Sequence, residues 1–123
     1  MKTHLISGGC GFVGRNMVKR LYNNTQDRIL FIDNLSVGKH PSEWLKHPLK
    51  RKAGSVEIYG ENERLLFIQE DFRVTLNKLV HQPEYLKNDL GLNIEKFTDV
   101  YHFAAIVGGR AMIDGDPIQV ALD

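Results

Sequence analysis

A cluster of glycines near the start constrains this chain more than any other feature. Residues 8–14 read Gly-Gly-Cys-Gly-Phe-Val-Gly. Two registers fit the spacing, Gly8-x-x-Gly11-x-x-Gly14 and Gly9-x-Gly11-x-x-Gly14. The flanks decide how to read it. The five residues before it, Thr-His-Leu-Ile-Ser, have strand length and stop at the first glycine. After it, from Phe12 to about Asn23, Gly14, Met17, Val18 and Leu21 fall at i, i+3, i+4 and i+7, one apolar helix face. Arg28-Ile-Leu-Phe-Ile-Asp33 is then a near-continuous apolar run, as expected of a strand covered by helices on both sheet faces. Strand, helix and buried strand make a βαβ unit.

In such a unit each glycine has a physical task. The first permits a sharp reversal out of the strand, the middle one lets a ligand approach the backbone without meeting a Cβ, and the last lets the helix pack closely on the sheet. The helix amino end then presents free N–H groups and the positive end of its dipole, which suits phosphate. Asp33 ends the second strand, 19 residues after Gly14. An acid at that place accepts hydrogen bonds from both adenosine ribose hydroxyls and repels a 2′-phosphate. The residues therefore imply a dinucleotide site, and NAD rather than NADP. A nucleoside-triphosphate loop fails, because Gly9-x-x-x-x-Gly14 is followed by Arg15-Asn16 instead of Lys and Ser or Thr.

The next thirty residues are less regular. Asn34-Leu35-Ser36-Val37-Gly38 is turn-like, and Pro41 and Pro48 follow. We expect a surface excursion over 34–63, with a helical turn around 42–46 and a short strand over 56–59. Leu65-Leu-Phe-Ile-Gln69 reads as the third main strand, ending at Glu70-Asp71. Residues 74–80 suit a helix with Leu76, Leu79 and Val80 on one side, residues 83–96 a polar connection with room for a second helical piece, and 99–105 a fourth strand. Pro117 suits the first turn of a further helix. The expected architecture is α/β, a doubly wound parallel sheet with strand order 3-2-1-4, in one domain over residues 1–123.

Composition narrows the function classes. Sixteen basic and fifteen acidic side chains leave a net charge of +1, too balanced to draw in nucleic acid or an anionic membrane. The single cysteine, Cys10, excludes an internal disulfide and a cysteine-based zinc site, which suits a cytoplasmic setting. No stretch approaches the apolar length of a membrane span.

These motifs together resemble the extended short-chain dehydrogenase/reductase superfamily, the NAD-dependent nucleotide-sugar epimerases and dehydratases. The resemblance is carried by Ser7-Gly8-Gly9-Cys10-Gly11-Phe12-Val13-Gly14, Asp33-Asn34-Leu35-Ser36 with Gly38, Asp71-Phe72-Arg73, His102-Phe103-Ala104-Ala105 and Asp116-Pro117, in the family's order. It implies a Rossmann fold binding NAD. Gly8, Gly11 and Gly14, with the Phe12 and Val13 backbone, would meet the pyrophosphate. Asp33 would hold the ribose, and Asn34 through Gly38 would run along the adenosine. Asp71 and Phe72 would touch the adenine, while Phe103, Ala104 and Ala105, with Ile106 and Val107 beyond, would lie beside the cofactor's ribose and diphosphate. Asp123 stands where the family often carries a cofactor-contacting asparagine, a departure from the pattern.

Family catalysis uses a Tyr-x-x-x-Lys pair, and this sequence has none. Tyr22, Tyr59, Tyr85 and Tyr101 are followed four residues later by Gln26, Glu63, Asp89 and Ala105. We therefore expect a cofactor-binding segment without catalytic residues, the chain stopping before the fifth strand where that chemistry would sit. The nucleotide-sugar substrate would belong to a complete enzyme. The alternative is a stand-alone, non-catalytic nucleotide-binding or regulatory module, stabilised by self-association as a homo-oligomer.

Other residues invite sharper readings and have plainer ones. Cys10 near a helix amino end suggests a reactive thiol, yet a small turn residue explains it as well. His102 suits a packed, hydrogen-bonded strand histidine better than a base. His4, His40, His47 and His81 show no metal-ligand spacing. The basic run over 46–52 reads first as a solvated loop. Arg110, after Gly108-Gly109 at the expected carboxyl edge, is a candidate phosphate contact or a surface residue.

Overall fold

Alternation along the strands sorts the apolar side chains onto two faces, and each face is covered. The computed structural model describes residues 2–82, 84–88 and 97–103. In chain order the elements are β1 (Thr3–Ser7), α1 (Phe12–Asn24), β2 (Arg28–Asp33), a 3-10 turn (Pro41–Glu43), β3 (Leu49–Ala53), β4 (Val56–Tyr59), β5 (Leu65–Gln69), α2 (Phe72–His81), α3 (Tyr85–Asn88) and β6 (Asp99–His102). One sheet runs β3-β4-β5-β2-β1-β6. From β5 to β6 the neighbours are parallel, whereas β3, β4 and β5 pair antiparallel.

On one face Leu5, Leu30, Ile32, Leu66 and Ile68 join Val56 and Ile58, under Phe72, Leu76 and Leu79 of α2 and Tyr85 of α3. On the other, Ile6, Ile29, Phe31, Leu65 and Phe67 lie under Val18, Met17 and Leu21 of α1, with Trp44 and Leu45 beside them. Burying each such side chain is worth about 1.5–3 kcal/mol. The fold is therefore α/β, with one mixed sheet between helices.

The sheet departs from the expected one. Among the described residues it has six strands rather than four and is mixed rather than purely parallel, so its order is not the expected 3-2-1-4. The four expected strands are neighbours as β5-β2-β1-β6, and the β3–β4 hairpin extends the sheet beyond β5. The excursion expected over 34–63 is thus partly core. Val56, Ile58 and Tyr59 are buried, and β4 pairs along its length with β5. The basic run over 46–52 is largely β3, an exposed edge strand with Lys50 and Arg51 ion-paired to Glu61 and Glu63. Charged side chains on an edge strand discourage pairing with other chains. The helical turn lies at Pro41–Glu43 rather than over 42–46. Val80 does not share the buried side of α2 with Leu76 and Leu79; it is 62% exposed. Residues 104–105 of the fourth strand and the helix expected at Pro117 lie outside the described residues.

The amino edge of the parallel strands is stitched by two buried polar side chains. Arg64 donates from Nε to the Asp27 carbonyl (2.8 Å) and from Nη2 to the carbonyls of Thr25 (2.6 Å) and Tyr22 (3.1 Å). It places a cation at the carboxyl end of α1, whose last turn has no basic residue of its own. His4 is hydrogen-bonded through Nε2 to Asp27 Oδ2 at 2.9 Å. Its Nδ1 is 3.3 Å from Asp99 Oδ2 but out of line for a hydrogen bond.

Candidate functional site

The carboxyl ends of the parallel strands bring the expected residues to one edge. β1 registers Ser7 against Ile32 of β2 and His102 of β6, and β2 registers Asp33 against Gln69 of β5. The glycine turn, Asp33 with its loop, Asp71 and Phe103 therefore leave the sheet side by side.

The turn is closed by its own backbone. Gly8 has φ +69°, a conformation that favours glycine, and the Gly8 and Gly9 N–H groups donate to the Ile32 carbonyl at 2.8 and 3.2 Å. Gly11 N–H donates back to the Gly8 carbonyl at 3.2 Å. A Cβ on Gly14 would stand 2.0 Å from the Gly8 carbonyl oxygen, so α1 can approach the turn only through a glycine.

Gly11 differs. Its φ of −76° and ψ of 174° are open to any residue, and a Cβ there would meet only the Gly8 carbonyl oxygen, at an ordinary 3.6 Å. Packing within the described residues gives no reason for glycine at this position. Gly11 is also the N-cap of α1, with no side-chain cap and no acid in the first turn. An uncapped helix amino end with a bare backbone beside it leaves N–H groups for an external acceptor. Next to it Phe12 and Val13 are 73% and 57% exposed, and Val37 on the neighbouring loop is 69% exposed.

Asp33 ties the turn to the second loop. Its Oδ2 accepts from Cys10 N–H (3.0 Å) and its Oδ1 from Leu35 N–H (2.8 Å). Each oxygen keeps a lone pair, so the half-buried carboxylate holds the turn and retains acceptor capacity for a ligand. The Asn34 side chain accepts from Ser36 N–H at 3.0 Å, Leu35 adopts φ +63°, and Gly38 lies against the Cys10 backbone. The loop from Asn34 to Gly38 thus folds onto the glycine turn.

The next two expected residues have internal roles as well. Asp71 caps α2, accepting from Arg73 N–H at 2.8 Å and from the Arg73 guanidinium, which holds its carboxyl below the usual carboxylate range. Phe72 is buried in the core, with its ring 5.2 Å from that of His102. Phe103 is half-buried at the end of β6, where its N–H donates to the Ser7 carbonyl at 2.9 Å. His102 is the packed strand histidine expected, with Nδ1 2.5 Å from Ser7 Oγ. Ala104, Ala105, Ile106, Val107, Gly108 to Arg110, Asp116 and Asp123 lie outside the described residues.

Cys10 is fully buried, and burial first, then the Asp33 charge, pushes its thiol well above the ordinary range. A protonated thiol out of reach of solvent is a poor nucleophile, so the reading as a small packed residue fits and the reactive one does not. The sequence reading gave no sign of Arg64 or of the linkage from Cys10 to Asp33. Arg64 bonds residues 37 to 42 positions away, and no local spacing marks it. Among the described residues no group of three or more histidine, cysteine, aspartate and glutamate side chains is placed to hold a metal ion. Among them too, no helix is long and apolar enough to cross a membrane. No family model matches the chain, and no curated protein matches it.

Proposed function

We propose that this chain is the NAD-binding segment of a nucleotide-sugar epimerase/dehydratase-type enzyme, built on a Rossmann-type sheet. The observation that carries the reading is Gly11, a glycine that the packing around it does not require, at the uncapped amino end of a helix. Its bare backbone, the exposed first turn of α1 and the Asp33 carboxylate converge on one edge, as a diphosphate flanked by a ribose requires. In this reading the Gly11–Val13 backbone binds the diphosphate and Asp33 accepts from the ribose hydroxyls. Asn34, Leu35, Ser36 and Gly38 flank the adenosine, Asp71 borders the adenine, and Phe103 with Ala104 and Ala105 lies alongside. Phe72 supports that edge from beneath. NAD, when bound, supplies a hydride acceptor. The 123 residues hold no Tyr-x-x-x-Lys pair, so the role proposed for them is to bind and orient the cofactor.

Calorimetric titration of the whole chain tests this. NAD should bind, and NADP should bind at least about tenfold more weakly, the loss expected from placing a phosphate against Asp33. Gly11→Ala should keep stability within about 1 kcal/mol, the range of N-cap exchanges, yet lose at least about tenfold in NAD affinity. Absence of NAD binding by the folded chain, or equal binding by Gly11→Ala, overturns the proposal.

A further inference from the structure

The β3–β4 hairpin and the 3-10 turn border a cleft of about 400 Å³ that takes no residue from the glycine turn. This volume is in the range of small-ligand sites. Its floor is a fixed polar cluster. Ser42 N–H donates to His40 Nδ1 at 3.1 Å, so that nitrogen is the acceptor and the ring hydrogen sits on Nε2. Nε2 in turn lies 2.9 Å from Glu57 Oε1, which also accepts from the Tyr59 hydroxyl at 2.5 Å. The Tyr59 hydroxyl thus donates to this carboxylate oxygen, and the His40 ring lies beside it.

Lys50 and Arg51, in the same basic run, are paired to Glu61 and Glu63. Lys46 and Lys52 line the cleft and have no hydrogen bond or ion pair among the described residues. His47, its ring held 4.4 Å from that of Tyr22, completes the polar side, and Leu45, Pro48 and Leu49 form an apolar wall. Two uncommitted ammonium groups match a dianion, and the wall matches an organic body attached to it.

We propose that this cleft binds a small organic phosphate monoester, with Lys46 and Lys52 on the phosphate and the apolar wall on its substituent. The experiment is a titration of the whole chain with phenyl phosphate, followed through the His40 and His47 ring signals by NMR. Saturable shifts at both rings are expected, at least tenfold weaker in the Lys46→Gln/Lys52→Gln double variant and weaker again for inorganic phosphate than for phenyl phosphate. Both lysines are exposed, so the variant should keep the fold. The proposal is overturned if neither ring shifts saturably, if the double variant binds unchanged, or if inorganic phosphate binds as well as phenyl phosphate. It is also overturned if NAD displaces phenyl phosphate, for then the cleft belongs to the dinucleotide site. A chain that binds phenyl phosphate here and no NAD would sink the glycine-turn reading and leave this one standing.

Discussion

The two ends of the parallel strands treat polar groups in opposite ways. At the amino edge the polar side chains are spent on the protein itself: Arg64 donates to three carbonyls and His4 bonds to Asp27. At the carboxyl edge the turn is held by Asp33, but the helix beside it has no side-chain cap. A fold needs its buried polar groups satisfied. The amino edge meets that need from within except at His4 Nδ1, whereas the amino end of α1 on the other edge leaves donors outward, which favours placing an external partner there. The contrast supports the proposed site without reference to any ligand.

The contrast can be broken by substitution. The largest effect should come from Gly14→Ala. The added methyl collides with the Gly8 carbonyl, a backbone atom with little room to yield. Helix propensity favours alanine by only about 1 kcal/mol, so overpacking should win and stability should fall by about 3 kcal/mol or more in urea unfolding. Next comes Arg64→Met, which keeps much of the apolar stem and removes every donor. With three carbonyls left to find other partners, a loss of about 2–3 kcal/mol is expected by the same measurement. An equal loss from Gly11→Ala would erase the distinction between the edges.

The smallest effect is one of pH. The His4 hydrogen bond draws the Asp27 carboxyl below the usual carboxylate range. The folded-state pKa is depressed, so this contribution is complete above about pH 4 and fades as the pH falls through the folded value. Asp27→Asn should therefore flatten the dependence of unfolding free energy on pH below about 4. An unaltered acid limb would remove Asp27 from the amino-edge stitching.

Most of the parallel core was legible because it obeys a local rule. Strands buried on both faces read as apolar runs, and β2 and β5 carry such runs at Arg28–Asp33 and Leu65–Gln69. β3 was not legible, since Leu-Lys-Arg-Lys-Ala is exposed along most of its length and has neither an apolar run nor an apolar alternation. β4 could be read as a strand, but not as core, because its place depends on pairing with β5. The candidate site divides in the same way. Glycine spacing and a strand-terminal acid are sequence signals. The bond from Asp33 to the Cys10 amide spans 23 residues and emerges only once β1 and β2 are adjacent. That Gly11 is a glycine could be read directly; that its neighbours do not demand one is a fact of packing.

Cys10, the only cysteine in the chain, sits beneath the clamp formed by Asp33 and Gly38, fully shielded. It thereby becomes a clock for the turn. A thiol reagent can reach it only when the segment opens, so the modification rate at fixed reagent measures the opening equilibrium. A molecule that binds the closed turn must slow that rate in proportion to its occupancy. The chain thus carries its own single-site gauge of occupancy, readable without a label.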